Sequence, residues 1–384
     1  MSWLSLPESS IAEKLFMSNK IKFRKTQDLT FTDVLNQRIQ DYFQSNGISP
    51  KGNFLMFIKV TFYLTGFFGS YLLIYLSQDN YIASVASWLL MGLFTAFVGF
   101  NISHDAVHGS LSKFPFINKM MGYTFNLAGT NKYMWKILHN VIHHTYTNIP
   151  GHDEDLEPVS LIRLSTENKL KKIHRFQHYY AYFFYCLTSL SWVFKKDFVT
   201  FFQTKLGNYE NKKHPMREYF ILFGFKALYF AMFLVLPIMY SGAPWWFCII
   251  GFVAMHLIQG ITLAVVFQLA HVVEGTTFPM PDENGDVKNN WNIHQLNTTA
   301  NFAMRSNLAT WFFGGLNYQV EHHLFPHICH IHYPAIAPLV KETAQEFGIS
   351  YHENKTMWQA IRSHTRMLRL LGTNEYLPEH RLAS

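Results

Sequence analysis

The sequence predicts an all-α integral membrane protein: four transmembrane helices in two hairpins, with interfacial helices and a cytoplasmic helical cap. Three observations carry that expectation. Hydrophobic residues make up 49% of 384 and charged residues only 15%, where a soluble domain is roughly a quarter charged. The apolar residues gather in two pairs of long stretches, each pair joined by a short link. Neither link contains Lys or Arg, and the segments flanking the hairpins hold nearly all of them.

Residues 1–52 read as a charged cytoplasmic lead-in with short helices. A membrane domain, 53–345, follows. Its first pair is "NFLMFIKVTFYLTGFFGSYLLIYLS" (53–77) and "YIASVASWLLMGLFTAFVGFN" (81–101), and each reaches the roughly 20 apolar residues that cross a bilayer. The second pair is 218–240 and 245–270, separated by Ser241–Pro244. Between the hairpins, "FQHYYAYFFYCLTSLSWVF" (176–194) is Tyr-rich with basic flanks, which suits a helix lying in the interface better than a fifth crossing. The cytoplasmic tail, 346–384, contains the amphipathic "KTMWQAIRSHTRMLRLLG".

Basic residues set the orientation. The N-terminal segment holds seven, 103–217 holds fifteen and 271–384 holds eight. The positive-inside rule puts all three segments, and both termini, in the cytoplasm. Lys59 and Lys226 fall inside spans, each in the half nearest the basic side, and are expected to snorkel. The net charge of +7 then serves topology and attraction to anionic lipid rather than nucleic acid. Three cysteines without framework spacing do not suggest disulfides. No basic start followed by a long apolar run marks a cleavable signal peptide.

Twenty histidines ask for a site rather than a fold explanation. "HDAVH" places His104 and His108 at i, i+4, on one helical face with roots about 6 Å apart. "HNVIHH" repeats that spacing at His139 and His143, and His144 is rotated about 100° further. Such an adjacent pair can point at two different metal ions. "QVEHH" sets Gln319, His322 and His323 at i, i+3 and i+4, and His271 closes the fourth span. All lie on one side of the membrane by the charge argument, close to its surface. Eight imidazoles suit iron, copper or zinc. No thiolate is placed to select zinc, and a nitrogen-rich, carboxylate-poor site with room for two metals points to oxygen chemistry on iron.

"HDAVH", "HNVIHH" and "LNYQVEHHLFP" resemble the three histidine boxes of the integral-membrane fatty acid desaturases. The likeness covers roughly 55–345, including both hairpins. Gln319 at the head of the third box resembles the front-end, linoleoyl-CoA-type subgroup, which desaturates between an existing double bond and the carboxyl end. The resemblance implies a cytoplasmic dimetal site in which His104, His108, His139, His143, His144, His271, His322 and His323 hold two non-haem irons, with O₂ as co-substrate. It implies a cis double bond placed in a fatty acyl substrate, either an acyl-CoA or an acyl-lipid. Many front-end members carry a fused haem domain marked "HPGG". Here the nearest stretch is "KKHPMRE" at 212–218, so a separate electron donor is expected, a ferredoxin or a cytochrome with its reductase.

Removing hydrogens from an unactivated methylene chain needs an oxidant made from O₂ at metal, so the protein's task is positioning. Spans two and four are the expected tunnel walls. Gln319 is expected to act through a water or a ligating imidazole, because an amide binds metal poorly. Asp105, Asp155 and Glu321, with Asp153 and Glu154 beside them, are candidates to orient the imidazoles. Asn101, Asn140, Asn148, Trp311 and Asn317 lie near the boxes, and His152 reads as a loop residue. His327, His330 and His332 exceed the ligand count and read as surface or donor-docking residues. A hydroxylase on the same scaffold is the alternative within the class. A His-rich membrane metal transporter would set its ligands at the midplane, where only His256 lies.

Overall fold

The structure is a computed structural model that describes residues 21–24, 30–156 and 160–376. Residues 1–20 and 25–29 of the expected lead-in and 377–384 of the tail lie outside the described residues. The chain is an all-α integral membrane protein. Four helices are long and apolar enough to cross a bilayer: Phe54–Leu76, Tyr81–His108, Met216–Tyr240 and Trp245–His271.

In chain order we label α1 Thr30–Ser45, α2 Phe54–Leu76, α3 Tyr81–His108 and α4, residues 132–146. Then come α5 Gln177–Cys186, α6 Met216–Tyr240, α7 Trp245–His271 and α8 Trp291–Thr298. The last three are α9 Gln319–Leu324, α10 Tyr333–Glu346 and α11 Met357–Thr373. Strand pairing among the described residues is confined to two-residue ladders, such as Asn301–Phe302 beside Glu353–Asn354.

Both helices of the first hairpin begin at capped ends. Asn53 accepts from the N–H of Leu55 at 2.9 Å, and Asn80 accepts from Ala83 at 3.1 Å, satisfying donors that helix starts leave open. The two hairpins meet where α3 lies on α7. A Cβ at Gly92 would strike the Met255 carbonyl and one at Gly251 the Trp88 indole, so small residues set the approach. That contact closes the space between α3 and α7 at this depth, well before the histidine-bearing ends of the two helices. Outward faces carry Phe54, Phe57, Phe220 and Ile250, all exposed, as lipid-facing positions should be.

The lysines inside the spans do not snorkel. Lys226 is 5% exposed. Its ammonium pairs with Asp197 at 2.8 Å and donates to the carbonyls of Gly129 and Val193. Lys59 is 3% exposed and reaches His330. Each ammonium has its partners inside the protein, so losing one member of the pair would leave the other buried and uncompensated.

The interfacial reading of 176–194 matches a broken helical run, α5, Thr188–Ser191 and Trp192–Lys196, with Tyr179 and Phe183 exposed. The tail folds back on it. His364 of α11 meets the Tyr185 hydroxyl at 2.9 Å and donates to the Val272 carbonyl at 2.7 Å, just past the end of α7. On the other flank, Arg38 of α1 forks onto Glu346 of α10 at 3.0 and 2.7 Å.

Candidate metal centre

Each imidazole is delivered by a helix end or a deformed helix. His104 and His108 occupy the last turn of α3, directly after a π-helical stretch, Gly99–Ser103. A second one, Lys136–His143, carries the middle of α4. Wider i→i+5 turns of this kind concentrate at functional sites. His139 and His143 keep the expected shared face, their rings stacked 5.3 Å apart, and they group with Asp155. His139 joins His104, His108 and His322, whereas His143 joins His271 and His323. Within each set the ligand atoms lie within 4.8 Å of one another.

His144 stands between the sets. Its Nε2 is 3.2 Å from that of His139, and it also groups with His322 and His323. Both adjacent pairs, His143–His144 and His322–His323, therefore send one ring toward each set.

The donor atoms fit metal ions. His139 Nε2 lies 3.2 Å from Nε2 of His104 and equally far from that of His144. One ring nitrogen cannot satisfy both neighbours by hydrogen bonding. Two nitrogens each about 2.1 Å from one ion stand at just this separation. Nε2 of His108, His143, His322 and His323 are buried without any hydrogen-bond partner, a condition native interiors rarely tolerate. Burial, reinforced by the neighbouring rings, holds His139, His144, His322 and His323 well below the ordinary imidazole pKa. They are neutral, which metal ligation requires.

The remaining ring nitrogens fix the tautomers. His143 Nδ1 donates to Asp153 at 3.0 Å. Burial alone would lower its pKa, but Asp153 more than offsets this and raises it. His323 Nδ1 donates to the Gln295 amide oxygen at 2.8 Å, and that amide is oriented by its nitrogen donating to the His144 carbonyl. His271 Nδ1 donates to the Thr298 carbonyl at 3.3 Å. Each bond leaves Nε2 as the lone pair aimed inward.

Gln319 sets its amide nitrogen 3.1 Å from His271 Nε2, so it touches the second set directly. Asp105 faces Nδ1 of His104 at 3.6 Å. Asp155 is a different case. It lies 3.6 Å from His143 with its side chain 43% exposed, and buried Asp153 takes the position instead. Glu321 points away from the ligands, accepting from Asn301 and Tyr351 at 2.7 Å each. Burial there pushes its carboxyl up to about 7.

Of the flanking amides, Asn140 donates to the Val107 carbonyl and Asn148 to the His271 carbonyl, tying α4 to α3 and α7. Asn101 and Asn317 hold the stretch around Trp311, donating to the Phe312 carbonyl and the Thr310 hydroxyl. His327 is exposed, but His330 and His332 are buried, against the surface reading. His152, read as a loop residue, sits in the turn after α4 and is buried. His256 is a buried structural histidine between the Tyr229 and Ser189 hydroxyls. Gln295 and Thr298 carry no sequence signal, because their roles arise from contacts across distant segments; Lys59 is visible as a charge within a span, but its partner His330 is not.

Residues 80–355 match the family described as fatty acid desaturase. The chain belongs to that family. The desaturase is 35% identical over 357 residues to the sn-1 linoleoyl-lipid 6-desaturase of Arthrospira platensis, covering 93% of this chain and 96% of that one. A protein of the same name from Synechocystis is 34% identical, over 93% of this chain and 99% of its own. The acyl-lipid (8-3)-desaturase of Physcomitrium patens is 36% identical over 96% of this chain and 77% of its own. These relatives support the subgroup read from Gln319, and they make the desaturase an oxidoreductase acting on fatty acyl chains rather than a metal transporter.

Proposed function

We propose that the desaturase introduces a cis double bond near the carboxyl end of an acyl chain carried on a membrane glycerolipid, using O₂ and electrons from a separate protein donor. The carrier follows the relatives, whose names specify acyl-lipid substrates at 34–36% identity. The metal reading rests on one observation: buried, unpartnered imidazole nitrogens in two sets. His104, His108, His139 and His322, with His144, would hold one iron; His143, His271 and His323 would hold the other.

Two irons held by these residues would supply, with O₂, the oxidising power that unactivated C–H bonds require. The chain does the rest. Burial of every ligand ring but the partly covered His108 keeps water from the reacting carbons. Asp153, Gln295 and the Thr298 carbonyl lock ring orientation. Phe267, one turn before His271, places its ring 6.2 Å from His139 and 6.1 Å from Phe100, an apolar surface on which methylenes can rest. Gln319, beside His271, is placed to hydrogen-bond a water at the second set. Charge asymmetry supports termini and metal sets on the cytoplasmic side.

The test is expression in a host with a compatible reductase, followed by mass spectrometry of lipid-bound acyl chains. A new double bond on the carboxyl side of an existing one is expected, lost in His143→Ala. Hydroxylated chains would overturn the desaturation reading, and products confined to acyl-CoA would overturn the lipid carrier.

A further inference from the structure

A line of three ionisable side chains joins the first span to the first histidine pair. The buried Lys59 ammonium, on α2, lies 2.8 Å from Nε2 of His330. His330, 1% exposed, donates from Nδ1 to Oδ2 of Asp105 at 2.8 Å. The same oxygen accepts from the Cys329 thiol at 3.1 Å and the His330 backbone N–H at 3.3 Å. Oδ1 of Asp105 faces Nδ1 of His104 at 3.6 Å, and that ring nitrogen has no hydrogen-bond partner.

The order of donors is forced. An ammonium only donates and a carboxylate only accepts, so the imidazole between them accepts at Nε2 and donates at Nδ1. Asp105 is thereby oriented to take the Nδ1–H of His104, which leaves the Nε2 lone pair that meets His139. Packing does not require a lysine here. An apolar residue would fill the same place in a span without burying a charge, and an ionisable group within a span ordinarily has a functional partner. Asp105, Cys329 and His330 are themselves close enough to hold an ion. They are already bonded to one another, however, so the cluster is a support rather than a third metal site.

We propose that Lys59 and His330 are positioning residues of the first metal set, acting through Asp105 on His104. The proposal rests on the two-metal reading given above. Carboxylates behind a ligating imidazole typically change metal affinity by roughly 10–100-fold, and here the carboxylate is itself aimed from another helix.

The full chain in detergent, stripped of metal and titrated with Co²⁺, tests this through the d–d absorption of the bound ion. Wild type is expected to take two ions. His330→Leu should bind one of them at least tenfold more weakly. His330→Gln, whose amide accepts from Lys59 and donates to Asp105, should stay near wild type. Lys59→Met strands a buried carboxylate and is expected to fold poorly. Lys59→Met with Asp105→Asn removes both charges, so it should elute as a monodisperse species yet keep the weakened site. Wild-type cobalt affinity in the double variant, or in folded His330→Leu, would overturn the inference. A wild type that takes fewer than two ions would overturn the two-metal reading instead.

Discussion

His143 donates its Nδ1–H to Asp153 across 3.0 Å, while Asp155, two residues on, stands 3.6 Å away and half in solvent. Asp153 also accepts the N–H groups of Asn148 and Asp155, so one carboxylate shapes the turn after α4 and aims the ring. Asp153→Ala should weaken the second metal set by roughly 10–100-fold. Asp155→Ala should change it less than about twofold, since an exposed pair contributes little. Asp153→Asn keeps acceptors for the turn and separates loss of charge from loss of the loop. Metal content by mass spectrometry of purified protein reads all three. Equal effects at 153 and 155 would contradict the assignment.

The Lys226–Asp197 pair makes an opposite demand on stability. Both side chains are nearly inaccessible, at 6% and 0%, and Asp197 further accepts the Asn131 N–H that starts α4 and the Trp192 indole N–H. Removing only the ammonium leaves an uncompensated buried carboxylate, at a cost of about 3–5 kcal/mol. Lys226→Met should therefore lower the thermal midpoint in detergent by many degrees. Lys226→Met with Asp197→Asn should recover part of the loss, because the buried charge is gone and the Asn oxygen still accepts the Asn131 N–H, although its amide nitrogen cannot accept from the Trp192 indole. A double variant no better than the single one would mean that the pair matters for packing and not for charge.

The sequence reveals the spans and histidine boxes because each is a local pattern. Twenty apolar residues or a pair at i, i+4 needs no knowledge of the rest of the chain. What surrounds the boxes is legible only in three dimensions. Gln295 reaches His323 from a helix preceding the third box by 28 positions, and no local pattern distinguishes it from any other glutamine. In "HDEDLEP" both Asp153 and Asp155 approach His143, and spacing along a tight turn does not say that Asp153 is the closer and buried one. Lys59 and Lys226 defeat the snorkelling rule for the same reason: the rule holds for a helix facing lipid, and these side chains face protein. His139 and His143 stack as their i, i+4 spacing anticipates, but which further rings each one meets depends on segments far along the chain.

Side-chain volume should matter at Gly251, where α7 meets α3, and not at Gly224 on α6. A side chain at Gly251 would meet the Trp88 indole, whereas a Cβ at Gly224 meets nothing within 4 Å. Gly251→Val is expected to destabilise by about 1–3 kcal/mol through overpacking. Gly224→Ala is expected to be neutral or slightly stabilising, since alanine is the better helix former by about 1 kcal/mol. Thermal midpoints of the two variants in one detergent decide the matter.

Acid should loosen the docking of α11. His364 is buried, and burial lowers its pKa to about 4, with the bond to the Val272 carbonyl opposing. The unfolded imidazole titrates near 6.5, so between about 6.5 and 4 the unfolded state binds the extra proton and stability falls as pH falls. The slope for one such group is about 1.4 kcal/mol per pH unit, giving about 2 kcal/mol lost between pH 6.5 and 5. Above pH 7 this contribution is fully present and flat. His364→Gln cannot titrate, yet it offers one donor and one acceptor to Val272 and Tyr185. It should therefore remove one proton's worth of slope from the pH dependence of the thermal midpoint. Hydrogen exchange across α11 should rise at pH 5 in the wild type and stay level in the variant; an unchanged slope would place the acid-sensitive group elsewhere.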